Sequence, residues 1–471
     1  MGPNEFLCLA PYIIIASAPV IIMLTLTVAR NLKIIYGFSL FMILSAIVSL
    51  FFISTIVPHQ VVPLLSFDHF TLLFLALVFG TGFIIIMLSY EYLSHHIQER
   101  EEYFIVLFVA ILGASVLVAA SHFITFFLGL ETLSISLYIM IAYLKNRDYS
   151  VEAALKFLVI ASLATAFLLF GMALVYAATG SMGFTGIAQK FYTSGSSPIL
   201  LIGTGMMFAG IGFKLALVPF HMWAPDVYQG APAPVTAFIA TLSKGAIIAV
   251  ALRFFVEIKG FSNPAFIMII TLVAVITMFT GNLLALQQTN LKRLLAYSSI
   301  AHMGYLLTTL IMGTSEGIQA ALFYLIAYSI TTLAVFGAIT VLSFHDHDKE
   351  NITDYRGLFQ NNPWIAIILS ISMFSLAGIP LTAGFMAKFY LVLAGMRVHL
   401  WLLVFSLIIN TVISAFYYLR VIKTMFTPSP VQRFQIVSFT GHVILAVLVF
   451  AIFLLGILPS LLTDFFHNLA F

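Results

Sequence analysis

The sequence predicts an all-α polytopic membrane protein of about fourteen transmembrane helices, two of them interrupted, arranged as two inverted five-helix repeats. Three observations carry this. The chain of 471 residues is 62% hydrophobic and 8% charged, with a mean hydropathy of +1.13, and apolar runs long enough to cross a bilayer recur along its whole length. Of its 20 Lys and Arg residues, twelve fall in connections after odd-numbered spans and four after even-numbered ones. That bias places both termini on the outer side and favours an even number of spans. The remaining four, Lys156, Lys214, Lys244 and Lys388, fall within apolar spans, where an ionisable group is costly and marks an ion or proton path.

The expected spans are 9–29, 35–57, 68–90, 103–120, 122–144, 150–177, 199–220, 235–257, 264–286, 295–313, 317–344, 363–395, 400–427 and 437–460. Residues 1–102 form a three-helix N-terminal segment whose spans hold no deep charge, with Asp68 and Glu91 bracketing the third. Spans four to eight (103–257) and nine to thirteen (258–430) make the two repeats, and 431–471 adds a last helix. The fourth and fifth spans are nearly fused at Ser121 and His122, and the longest connections are 179–198 and 345–362. The N-terminus lacks the basic region of a signal peptide and carries Glu5, so the first apolar run reads as a retained helix. Phe6 stands where a myristoylation motif needs Ser or Thr.

Composition excludes several functions. The single cysteine, Cys8, cannot supply a disulfide, a four-thiolate iron–sulfur site or a cysteine zinc site. No glycine fingerprint follows a strand, no Walker A loop is present, and no basic patch suits nucleic acid. No cofactor is expected in this chain. If it serves electron transfer, other chains carry the redox groups.

The stretch GFKLALVPFHMWAPDVYQGAPAPVTAF, residues 212–238, sets the expected site. Lys214 precedes Pro219 by five residues, and a polar, proline-broken passage with His221, Trp223, Asp226 and Tyr228 follows. Broken backbone at membrane depth is tolerated only inside protein or beside a water-filled cavity. Lys244 lies about ten residues from either end of its span, too deep to snorkel to an interface. Lys156, near the start of the sixth span, is open to both readings, snorkelling or relay. Glu131 is the deepest acid in the chain, read either as a neutral acid bonded to a hydroxyl such as Ser134 or as a proton site with a lysine partner. Ionisable groups in low dielectric exchange protons nearer neutrality than they do in water.

Further on, Lys292 and Arg293 are expected in a connecting loop. Ser298, Ser299, His302 and Tyr305 follow, with Ser298 and His302 four residues apart on one helix face. His302 is read either as a packed core histidine or as a relay between Lys244 and Lys388. The twelfth span carries Gly378, Pro380 and Gly384 before Lys388 and so is interrupted like the seventh.

The blocks GLETLSISLYIMIAY, FKLALVPFHMWAPDVYQGAPAPVTAF, LKRLLAYSSIAHMGY and LAGIPLTAGFMAKFYL resemble the antiporter-like membrane subunits of bacterial NADH–quinone oxidoreductase, respiratory complex I. PDVYQGAPAPV is similar to the subunit N branch, and the lysine at 388 stands where the subunit M branch usually has glutamate. Mrp-type cation/proton antiporter subunits are the alternative. The resemblance implies that Glu131 and Lys214 form a charge pair, that Lys244 is the central proton carrier, that Lys388 passes protons to the outer side, and that Lys156 and His302 connect them. It also implies partner membrane subunits, including other antiporter-like ones, in a bacterial inner membrane, with FMN, iron–sulfur clusters and quinone in partner chains and no metal here.

Overall fold

The computed structural model describes residues 2–94, 100–144, 147–194, 197–260, 263–343, 348–428 and 438–467. Lys145 and Arg433 of the charge count, and the start of the 345–362 connection, lie outside them.

Helices α1 (Pro3–Val28) and α2 (Leu32–Ile53) form the first hairpin; the Asn31 side chain caps α2 by accepting the Lys33 N–H. A short antiparallel pair, β1 (His59–Val61) and β2 (Leu65–Phe67), leads into α3 (His69–Ser94). Then come α4 (Tyr103–Ala119) and α5 (Phe123–Ile141). These two pack tightly because Gly113 and Gly129 face each other's helix; a Cβ on Gly113 would lie 2.6 Å from the Leu133 backbone.

α6 (Asp148–Thr179) is followed by α7 (Phe184–Ser194), an amphipathic helix in the expected 179–198 connection. α8 (Pro198–Lys214) stops at its lysine, five residues earlier than the proline suggested. After a turn the chain resumes as α9 (Trp223–Gly230) and α10 (Ala233–Phe238). One wide π turn, Ile239–Ser243, then joins α10 to α11 (Lys244–Glu257).

α12 (Pro264–Leu286), α13 (Leu291–Met312) and α14 (Ser315–Leu342) follow. α15 (Leu358–Asn361) precedes an interrupted pair, α16 (Pro363–Ala377) and α17 (Ala383–Arg397). α18 (Trp401–Phe426), α19 (Phe439–Ile457) and the amphipathic α20 (Ser460–His467) complete the described chain. The N-cap of α13 is Asn290, so Lys292 and Arg293 belong to its first turn and not to a loop.

Eleven helices among the described residues are long and apolar enough to cross a membrane. Tyr103–Ala119, Pro198–Lys214 and Pro363–Ala377 are apolar but shorter. Burial sorts them into centre and rim. The apolar stretch of Ala233–Glu257 is 100% buried, that of α13 94% and that of α14 89%, against 33% for α1 and α2. Large apolar side chains such as Phe51, Val159 and Phe416 instead face outward, as lipid-facing residues do. Most polar residues of the site therefore belong to the three central helices and the two interrupted segments, with α5, α6 and α18 adding Glu131, Ser134, Thr165 and Tyr418.

Candidate functional site

The interruptions place the lysines. α8 ends at Lys214, and the break that follows is held by Trp223 Nε1–H donating to Phe213 O at 2.9 Å and Val218 N–H donating to Thr277 Oγ1 at 3.1 Å. Lys214 is buried and donates to Ser134 Oγ at 2.7 Å. Glu131, half-buried one turn earlier on α5, turns instead toward α6 and accepts from Thr165 Oγ1 at 2.8 Å. No ion pair joins Glu131 to Lys214 among the described residues; each has its own hydroxyl. The two charges are not in direct contact here, and the hydroxyl on Glu131 is Thr165 where Ser134 was the expected one.

Lys244 begins α11 directly after the π turn and is 1% exposed. Its ammonium donates to Ser299 Oγ at 2.6 Å and lies 5.6 Å from the centre of the Tyr228 ring. Ser299 also bonds Tyr328 OH at 2.6 Å and accepts from Tyr228 OH at 3.2 Å. One turn along α13, His302 Nδ1 pairs with Tyr324 OH at 2.6 Å, and its Nε2 lies 3.4 Å from Tyr418 OH, which itself bonds Ser298. Ser299 and His302 on α13 thus face Tyr328 and Tyr324 on α14, spacings of three and four residues that stack two polar pairs along one seam.

Beyond His302 a small cavity of about 10 Å³, room for a single water, is lined by His302, Tyr324, Tyr328, Thr331, Ser375 and Lys388. Lys388 donates to the last carbonyls of α16, Leu376 O at 2.9 Å and Ala377 O at 3.1 Å. The C-terminus of a helix leaves carbonyls without intrahelical partners and carries partial negative charge, so the broken end of α16 is a cation seat. Gly378 makes it possible. It has φ of +84°, and a Cβ there would sit 3.0 Å from Lys388 Cδ.

Lys156 stands apart. It is exposed on α6 and forms ion pairs with Glu152 at 2.7 Å and Asp226 at 3.1 Å. It sits two turns into the apolar α6, and its ammonium reaches out to Asp226 of α9 at that end of the span. Asp226 also pairs with Arg293 at 2.6 Å. His221, in the break after α8, is buried, and its carbonyl accepts from Ala224 N–H at 3.0 Å.

Sequence reasoning missed a buried ionic cluster at the same end. Asp348, in the connection after α14, accepts from Lys292 Nζ at 2.8 Å, Arg147 NH1 at 3.2 Å and Tyr92 OH at 2.6 Å. Lys292 also donates to Gln229 O at 3.0 Å and Ala231 O at 2.7 Å, the carbonyls where α9 gives way to α10. Burial alone would raise the Asp348 carboxyl, but the Lys292 ammonium and Arg147 guanidinium overrule it and hold it at about 2. The cluster clamps the turn that carries Tyr228 toward Ser299 and Lys244. The signal was present as Lys292, Arg147 and Asp348, but they are far apart in sequence. At the opposite end Arg253 forks onto both oxygens of Asp68, at 2.8 and 2.9 Å, and onto Thr71.

Residues 120–414 match the model of the NADH:quinone oxidoreductase/Mrp antiporter membrane family. A relative in Methylococcus capsulatus named NADH-quinone oxidoreductase subunit N is 41% identical, over 98% of this chain and 95% of its own. The chain belongs to the NADH-quinone oxidoreductase subunit N family. As a subunit N family member it is a multi-pass membrane protein. Its fold is similar to that of a chain of respiratory complex I from Thermus thermophilus with bound aureothin, at 30% identity and a TM-score of 0.84, covering 96% of this chain and 98% of that one. A chain of the Mrp complex from Dietzia sp. DQ12-45-1b shares the fold at 19% identity and a TM-score of 0.88, covering 99% and 96%.

Proposed function

We propose that this chain translocates protons as a non-redox membrane subunit of an NADH:quinone oxidoreductase, a translocase in a bacterial inner membrane with both termini outside. The observation that carries the reading is the buried polar row from Lys244 through Ser299 and Tyr328, past His302 and Tyr324, to the cavity that also touches Lys388. Two ammonium groups joined through hydroxyls, an imidazole and a water-sized void form a path of groups that bind and release protons. Lys244 acts as the central carrier and Lys388 as the exit group on the broken end of α16.

Glu131 and Lys214 form the input end. In the structure each is held by a hydroxyl of its own. Bringing opposite charges to ~4 Å at an effective dielectric near 20 changes their interaction by ~4 kcal/mol, enough to shift proton occupancy. A conformational or electrostatic signal from the redox partners, which carry FMN, iron–sulfur clusters and quinone, would act there. His302 connects the two lysines. Lys156 belongs to the surface ion cluster, and a relay role for it rests on the family resemblance alone. The two interrupted helices fit inverted repeats at 103–257 and 258–430.

The test is Lys244→Met in the assembled complex, with NADH oxidation and proton uptake measured together in sealed vesicles. The expected result is a lower ratio of protons to electrons with assembly retained. A normal ratio would remove Lys244 from the path. Sodium/proton exchange by the chain without redox partners would favour the Mrp-type reading.

A further inference from the structure

Close packing in this bundle runs from α8 to α6 on one side and from α12 to α13 and α18 on the other. Across the gap between α8 and α12 the structure provides the Val218–Thr277 hydrogen bond at the break. The gap also holds a cavity of about 180 Å³, floored by Phe254 of α11 and Leu307 of α13 and walled by Met207, Ile211, Phe266 and Ile270. Its one hydroxyl, Thr204 Oγ1, is spent on the Leu200 and Leu201 carbonyls at 2.7 and 3.1 Å. Nothing in the wall holds a water, and apolar cavities of ~150 Å³ stay dry and take up apolar guests.

We propose that this cavity is a binding site for one acyl chain of a membrane phospholipid. A second hollow of about 170 Å³ shares Gly205, Phe208 and Ile269 with the first and runs on past Gly212 to Leu217 and Phe220. The two hollows are contiguous along the gap between α8 and α12. The mouth is at Gly205, where no atom lies within 4 Å of the place a Cβ would occupy. It is flanked by the outward-facing Ile202, Ile269 and Leu272. These residues belong to apolar helices within the membrane, so the medium at the mouth is hydrocarbon. A partner helix, ~10 Å across, does not enter a space of about 180 Å³, whereas a single hydrocarbon chain does. The guest lies against Ile211 and Leu215, which bracket Lys214 at the end of α8, and so buttresses the interruption from the side opposite α6.

The experiment uses the intact complex in vesicles of a phosphatidylcholine that carries a diazirine midway along one acyl chain. After irradiation, labelled residues are mapped by peptide mass spectrometry. Met207, Phe266 and Ile270 should be labelled. Gly205→Phe, whose ring fills the mouth, should cut that labelling at least fivefold and leave labelling of the outward-facing Phe416 on α18 unchanged. If Gly205→Phe does not assemble, Ile270→Phe fills the chamber from the α12 side and makes the same prediction for Met207. Unlabelled walls in the unmodified complex, or wall labelling that neither substitution reduces, would overturn the proposal.

Discussion

Replacing Asp348 by asparagine keeps the size of the side chain and removes its charge, leaving the Lys292 ammonium and Arg147 guanidinium facing a neutral amide. Both cations are buried, their side chains 0% and 8% exposed, so water cannot take over from the carboxylate. Breaking a buried ion pair by removing one partner costs about 3–5 kcal/mol. A second route gives a similar figure. The fall of the Asp348 carboxyl from an ordinary 3.8 to about 2 corresponds to about 2 kcal/mol of folding free energy at neutral pH. The sign follows from the direction. A carboxyl lowered in the folded state contributes fully above its ordinary value, and the contribution is lost as pH falls through about 2. The deficit of Asp348→Asn should therefore be the same at pH 7 and pH 5. Unfolding of the purified chain in a denaturing detergent titration, for Asp348→Asn, Lys292→Met and the double variant, measures it. The expectation is a loss of about 2–5 kcal/mol for Asp348→Asn and a coupling energy of about 1.5 kcal/mol or more between the two sites. A deficit under about 0.5 kcal/mol, the level of an ordinary surface change, or a coupling near zero would refute the reasoning.

Other substitutions separate the parts of the path. Ser299→Ala removes the hydroxyl to which Lys244 donates; a hydrogen bond to a charged group contributes about 1.5–3 kcal/mol, so vesicle proton uptake should slow roughly ten- to hundredfold. A rate within twofold of the unmodified complex would contradict this. Gly378→Ala puts a Cβ at positive φ and against Lys388, at a cost of about 1–2 kcal/mol, and roughly tenfold slower uptake is expected with the complex assembled. Lys156→Gln breaks only exposed ion pairs, so proton uptake should stay near the unmodified rate; a loss as large as that of Lys244→Met would return Lys156 to the path.

The interrupted helices were legible because proline, glycine and a lone lysine within an apolar run leave few other structures available. Lys214, Lys244 and Lys388 were likewise visible, since a charge in hydrocarbon stands out against its neighbours. The end of α8 was misplaced because the helix stops at Lys214, and the chain turns before the proline is reached. Tyr324, Tyr328 and Tyr418 were passed over because tyrosine in an apolar helix is ordinary, and nothing in its own segment shows that its hydroxyl meets His302 or Ser299. The sequence leaves snorkelling and relay both open for Lys156, near the start of its span. Its length and position let it reach Asp226 on a helix seventy residues away.

The sequence by itself determined that this chain is a helical membrane protein, which helices break, and which side chains carry charge into the apolar interior. Those properties are local: hydropathy, backbone restriction and the cost of a buried ion are set by each segment's own residues. Only the tertiary structure decided who hydrogen-bonds whom: Lys214 with Ser134, Glu131 with Thr165, Lys244 with Ser299, Lys388 with the broken end of α16, and Asp348 with Lys292 and Arg147. Such pairings depend on which helices pack together and at what rotation, and one turn along α5 decides whether a lysine meets a carboxylate or a hydroxyl.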